Sequence, residues 1–144
     1  MRIDGEWYPC DDGVVRPIIR GAVMNAYGFW EPALFLVDIG ADRTVFSAAI
    51  LELLGFAPIA TAKDLGGVGG VAKSVIIKTQ VRLDCDDGGK AVFRGEYAAF
   101  VDLEALDISV LGRDIMDRFA VIVDRPNDVI CLLGQRHHYI IVGS

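Results

Sequence analysis

Asp-x-Gly triplets begin at Asp11, Asp38, Asp64 and Asp86. A carboxylate at the mouth of a tight turn can take up and return a proton, the basic equipment of an acid or base that activates water. In a polar or glycine-rich turn the same residue usually does no more than hydrogen-bond its own backbone, and Asp11, Asp64 and Asp86 stand in such turns. Asp38 differs. It ends the unbroken apolar run Ala33-Leu34-Phe35-Leu36-Val37 and is followed by Ala41-Asp42-Arg43-Thr44. A buried strand that stops at a carboxylate puts that group at the rim of a core, on a loop held by a rigid element.

Other candidate chemistry is weaker. Gly67-Val68-Gly69-Gly70-Val71-Ala72 has dinucleotide-binding spacing, but an alternating strand follows it, so no helix N-terminus awaits a pyrophosphate. Lys73-Ser74 lacks the glycine that precedes the lysine of a Walker loop. His137 and His138 are adjacent, so on a strand they face opposite ways, and no ligand cluster accompanies them; no metal is expected. Cys10, Cys85 and Cys131 are odd in number and widely spaced, which fits neither a disulfide framework nor a CxxC motif. They read as small apolar residues in a reducing compartment, the cytoplasm.

The elements that must position Asp38 are mostly strands. Val14 to Tyr27 holds β-branched residues interrupted by Pro17 and Gly21, the composition of an edge strand or bent hairpin. Pro32 opens the run that reaches Asp38. Ser47 is placed to cap a short helix through Leu54, which Gly55 and Pro58 terminate. A glycine-dense turn, Gly66 to Gly70, leads into Val75, Ile77, Thr79, Val81 and Leu83, which alternate with Lys78, Gln80 and Arg82. A period of two predicts a strand with one wet face. Asp86-Asp87-Gly88-Gly89 turns this strand into another over Ala91 to Val101. Val110-Leu111-Gly112 ends a further buried strand, a helical turn or two follows, and Ala120 to Asp124 pairs with Val129 to Leu133. Tyr139 to Val142 reads as a last short strand.

Taken in order, these parts resemble the retroviral-type aspartic proteases. Asp38-Ile39-Gly40-Ala41 is similar to the family's catalytic Asp-Thr/Ser-Gly-Ala, and Val110-Leu111-Gly112-Arg113-Asp114 to its apolar-apolar-Gly strand with Arg and a short helix behind it. The resemblance covers about Val14 to Leu133. It implies an all-β fold, an acid-protease-type closed β barrel or sandwich lobe with one or two short helices. It implies one domain over residues 1–144, with a core at about 14–133 and terminal extensions or dimer strands at 1–13 and 134–144. Asp38 would be the catalytic carboxylate. Gly40, Ala41 and Asp42 would line the substrate, as would Gly67, Val68 and Gly69 in the turn where the family carries its flap. Ile39, Thr44, Gly112 and Arg113 would support the site, with Arg113 paired to Asp42. Ile39 departs from the pattern, since Thr or Ser there donates hydrogen bonds across the dimer axis and isoleucine has no donor.

Composition sets the partners. Hydrophobic residues make up 53% and charged residues 24% of the chain, leaving apolar material for an interface. A net charge of -6 with no Lys/Arg cluster argues against nucleic acid and anionic membranes. No apolar run approaches the ~20 residues that span a bilayer. One Asp38-type loop supplies one carboxylate, so the resemblance implies a homodimer acting on polypeptide, with no cofactor.

Overall fold

The computed structural model describes residues 1–57, 59–61, 65–67, 70–103, 107–134 and 140–143. The first half of the chain forms β1 (Arg2–Asp4), β2 (Glu6–Pro9), β3 (Val15–Met24), β4 (Trp30–Val37), β5 (Val45–Phe46) and the helix α1 (Ala48–Leu54). Short strands β6 (Ala60–Thr61), β7 (Leu65–Gly67) and β8 (Gly70–Ala72) lead to the long pair β9 (Ser74–Asp84) and β10 (Lys90–Phe100). β11 (Ser109–Leu111), α2 (Arg113–Met116), β12 (Ala120–Asp124) and β13 (Val129–Leu133) complete it.

Six strands close into a barrel in the order β3, β4, β11, β5, β10, β9, the last pairing back onto β3. β2 extends it beside β3, and β6 beside β9. A second sheet has the order β1-β13-β12, and β7 pairs with β8 in a sheet of two. The stretch 1–13 thus carries two strands, and Ile3, opposite Leu132 of β13, is 1% exposed in the core.

Alternation in β9 sends Ile77, Thr79, Val81 and Leu83 inward and leaves Lys78 and Asp84 outside. Phe46 packs between Phe35 and Tyr97, at ring-centroid distances of 6.4 and 5.2 Å. Ser47 Oγ accepts the Ile50 amide at 3.3 Å, and Gly55 ends α1 in the left-handed conformation at φ 69°.

Three strand expectations change. β3 is no edge: it pairs with β2, β4 and β9. Pro17 is tolerated because it lies opposite Trp7 of β2, before pairing with β4 begins at Ile18. At Gly21 a Cβ would stand 2.8 Å from Leu83 and 2.9 Å from the Arg82 carbonyl, so the missing side chain lets β3 and β9 close the barrel. β4 begins at Trp30, two residues before Pro32, and Leu34 and Leu36 are half-buried where cover on both faces was expected. Of the strand expected at Tyr139 to Val142, Tyr139 lies outside the described residues, residues 140–142 form no strand, and Ile140, Ile141 and Val142 are 84–94% exposed.

Candidate active site

β4 and β11 run parallel with Val37 opposite Leu111, and the Asp38 amide donates to the Leu111 carbonyl at 3.3 Å. β11 also pairs antiparallel with β5, Val110 opposite Val45. The chain therefore leaves β4, turns through residues 38–44 and returns as β5, with β11 threaded between the two arms. This ψ-shaped crossing fixes the loop that carries Asp38.

Local hydrogen bonds set the shape of the loop. Asp38 is half-buried; its Oδ1 accepts the Gly40 amide at 3.0 Å and its carbonyl accepts the Ala41 amide at 3.1 Å. The backbone after β11 grips the far side, the Arg113 amide donating to the Ala41 carbonyl at 2.8 Å and the Asp114 amide to the Asp42 carbonyl at 3.2 Å. Gly112 makes this approach possible, since a Cβ there would lie 2.3 Å from the Arg43 carbonyl carbon and 2.7 Å from the Thr44 nitrogen.

Thr44 is 1% exposed, and its hydroxyl accepts the Gly112 amide at 3.1 Å while donating to Asp114 Oδ1 at 2.7 Å. Arg113 Nη2 donates to Asp42 Oδ1, but the two side chains are 47% and 80% exposed, so the pair is a solvated one. Ile39 is 65% exposed beside Asp38. Gly67 pairs with Gly70 across the β7–β8 hairpin; Val68 and Gly69 lie outside the described residues, as do His137 and His138.

Sequence reasoning passed over two residues here. Asp114 Oδ1 accepts the Thr44 amide at 3.0 Å and the Ile115 amide at 2.9 Å besides the Thr44 hydroxyl. An acid in the first turn of a helix directly after Gly-Arg was the available signal. Ser109 Oγ, 1% exposed as a residue, accepts the Ser47 amide at 2.9 Å and so ties β11 to the start of α1. Nothing in the local sequence announces that pairing. Burial, with the Asp114 charge adding to it, pushes the Tyr97 phenol up to about 12, and its hydroxyl donates to the Phe93 carbonyl at 2.8 Å.

Two solved structures share this architecture. A retropepsin-like aspartic protease from Rickettsia conorii matches with a TM-score of 0.59 at 23% identity, over 92% of this chain and 90% of that one. The fold is that of the retropepsin-like aspartic proteases. EIAV protease, complexed with the inhibitor HBY-793, matches with a TM-score of 0.51 at 22% identity, over 71% of this chain and 86% of that one. Neither a protein-family model nor a curated protein matches the sequence.

On this retropepsin-like frame Asp38 directly follows β4, next to an exposed apolar residue and outside the regular strands. A lone carboxylate can serve as a base but cannot at the same moment supply the proton that a leaving group needs. No helix among the described residues is long and apolar enough to cross a membrane.

Proposed function

We propose that the protein is a homodimeric aspartic endopeptidase in which Asp38 of each subunit contributes one carboxylate. The supporting observation is the placement of Asp38 at the end of a barrel strand on a loop gripped by the Leu111–Asp114 backbone, in a retropepsin-like fold. Two carboxylates brought a few Å apart across a two-fold axis cannot both ionise, so they share a proton. The ionised member takes a proton from a water that attacks the peptide carbonyl. The protonated member donates a hydrogen bond to the oxyanion as it develops, then gives its proton to the leaving amine as the oxyanion collapses and the C–N bond breaks.

Gly40, Ala41 and Asp42 of the loop, with Gly67, Val68 and Gly69 of the hairpin, are the proposed walls for an extended peptide, whose main chain they would meet in the manner of an added strand. Thr44, Gly112 and Arg113 support the loop, and Ile39 faces its counterpart across the axis. The reading needs no metal or cofactor, no nucleic acid and no membrane, and it places the enzyme in the cytoplasm as one domain over residues 1–144.

Ile39 favours a second reading. An apolar side chain where the family keeps a hydroxyl fits a dimerisation or peptide-binding module with weak or lost catalysis. One experiment separates the two: endopeptidase assay on an unfolded protein from about pH 3 to 7, with and without a pepstatin-type transition-state mimic. Cleavage that the mimic blocks and that Asp38→Asn abolishes supports the enzyme; binding without cleavage supports the module.

A further inference from the structure

Among the described arginines, Arg43 is the one whose side chain meets no carboxylate, no hydrogen-bond acceptor and no aromatic ring. The others reach a carboxylate, apart from Arg94, which donates to Gln80 at 3.3 Å, and Arg118, which lies 5.5 Å from the Phe93 ring centroid. With 20 acidic residues against 14 Lys and Arg, carboxylates are not scarce, so the isolation of Arg43 comes from its position. It follows Asp38 in the same loop, between two residues that turn the other way. The Asp42 carboxylate is taken by Arg113, and the Thr44 hydroxyl donates to Asp114 Oδ1 at 2.7 Å, so both side chains face α2. Alternation sends the Arg43 side chain to the opposite side, where the residue is exposed. Its backbone has no such freedom. The Asp42 carbonyl accepts the Asp114 amide at 3.2 Å, and the Thr44 amide donates to Asp114 Oδ1 at 3.0 Å. The Arg43 carbonyl itself packs on Gly112, where a Cβ would stand 2.5 Å from its oxygen. A cation on a fixed backbone, with no internal partner to give up, meets an incoming carboxylate at little reorganisation cost.

We infer that Arg43 is a specificity-determining residue that binds the side-chain carboxylate of an Asp or Glu in the substrate, near the bond that is cut. This rests on the aspartic peptidase reading. The chain from Asp38 to Arg43 spans at most about 17 Å when extended and less through a turn. An extended peptide advances about 3.3 Å per residue, so the acid lies within about five residues of the scissile bond. The two-fold axis of the proposed dimer sets one Arg43 on each side, so acidic residues on both sides of the bond are selected. The neighbouring Asp42 does not oppose them, because Arg113 compensates its charge. The substrate class narrows to flexible polypeptides with acidic side chains flanking the bond that is cut.

The test measures kcat/KM on a peptide series in which one flanking position at a time holds Glu, Gln or Lys, with the parent, Arg43→Gln and Arg43→Glu. In the parent, Glu at the selected position is expected to exceed Gln by about fivefold, the upper end for an exposed ion pair, and to exceed Lys by more. Arg43→Gln should bring the Glu-to-Gln ratio within about twofold of one. Arg43→Glu should invert the order and favour Lys. Ratios taken within one protein cancel any change in folding or dimer content, and an inversion is a readout that a merely structural residue does not give. If Arg43→Glu does not fold, Arg43→Gln must abolish the preference on its own.

A parent that does not prefer Glu to Gln at any flanking position overturns the inference, as does a preference that survives in Arg43→Gln or is not inverted in a folded Arg43→Glu. Fluorescence anisotropy of the same peptides on the intact protein separates this inference from the reading beneath it. Cleavage without charge preference leaves the peptidase standing and removes Arg43 from its specificity. Binding that favours Glu in the parent and Lys in Arg43→Glu, with no cleavage, sinks the peptidase reading and leaves Arg43 as the acid-recognising residue of a peptide-binding module. Neither cleavage nor charge-dependent binding removes both.

Discussion

At Gly112 an added methyl group would overlap the Arg43–Thr44 peptide, 2.3 Å from the Arg43 carbonyl carbon and 2.7 Å from the Thr44 nitrogen, and backbone cannot swing aside as a side chain can. Gly112→Ala should therefore destabilise the lobe by about 3 kcal/mol, the upper part of the usual overpacking range. Denaturant titration checks this, and an unchanged midpoint would mean that β11 and the loop can part without cost. Arg113 makes the opposite case. Its amide grips the Ala41 carbonyl whatever side chain it bears, and its ion pair with Asp42 is exposed, so Arg113→Ala should cost less than about 1 kcal/mol in thermal unfolding. A larger loss would show that the guanidinium does more than the surface pair. Asp38→Asn should leave stability alone, since an amide oxygen still accepts from Gly40, and should remove all cleavage, since it neither ionises nor shares a proton.

Among the elements, legibility followed the range of the interactions. α1 was readable because its cap, its apolar face and its terminal glycine are all neighbours in sequence, and β9 because its alternation is a local period. The two segments that meet in the ψ crossing, the Asp38 loop and Val110 to Asp114, were readable through their resemblance to the family's motifs. The central place of β3 was not, because Pro17 and Gly21 signal an edge locally and only the distant partners β2, β4 and β9 show what they permit. Asp114 had a local signal in its place in the first turn of α2, but its partner Thr44 lies far away in the chain, and the bond of Ser109 to Ser47 leaves no local trace.

Two turns tie elements together through carboxylates and set an acid limit. Arg16 hydrogen-bonds Asp12 beside the β2–β3 turn and holds it at about 2, and the Arg2 amide of β1 keeps Asp86 of the β9–β10 turn below its ordinary value. Both are lowered in the folded chain. Their stabilisation is complete above the ordinary carboxylate range and fades as pH falls through each lowered value, which for Asp12 is about 2. Thermal midpoints should drop on acidification below about pH 4, and drop less in Asp12→Asn measured over the same series. Parallel curves for the two proteins would remove Asp12 from the acid response.

For the molecule as a whole, the proposed dimer turns on apolar surface that one chain cannot cover. Ile39 is 65% exposed beside Asp38, and Ile140 and Ile141, on the C-terminal side of β13, are 90% and 94% exposed. Burying one isoleucine side chain is worth about 1.5–3 kcal/mol, so the two copies of Ile140 and Ile141 hold several kcal/mol, from which ordering the segment takes a share. Replacing both by aspartate removes that gain and sets four added charges at the same place in the dimer. The variant Ile140→Asp/Ile141→Asp should raise the dissociation constant at least about 100-fold, a change of about 2.7 kcal/mol. Unfolding of the dilute, monomeric chain should stay put, because neither side chain is packed within its own chain. Peptidase activity should then fall steeply on dilution and return as the concentration rises, since Asp38 itself is untouched. Sedimentation and activity measured over one dilution series decide it: a parent and variant with the same mass distribution would mean that these residues lie outside the interface, while lost activity in a variant that still dimerises would place them in the site.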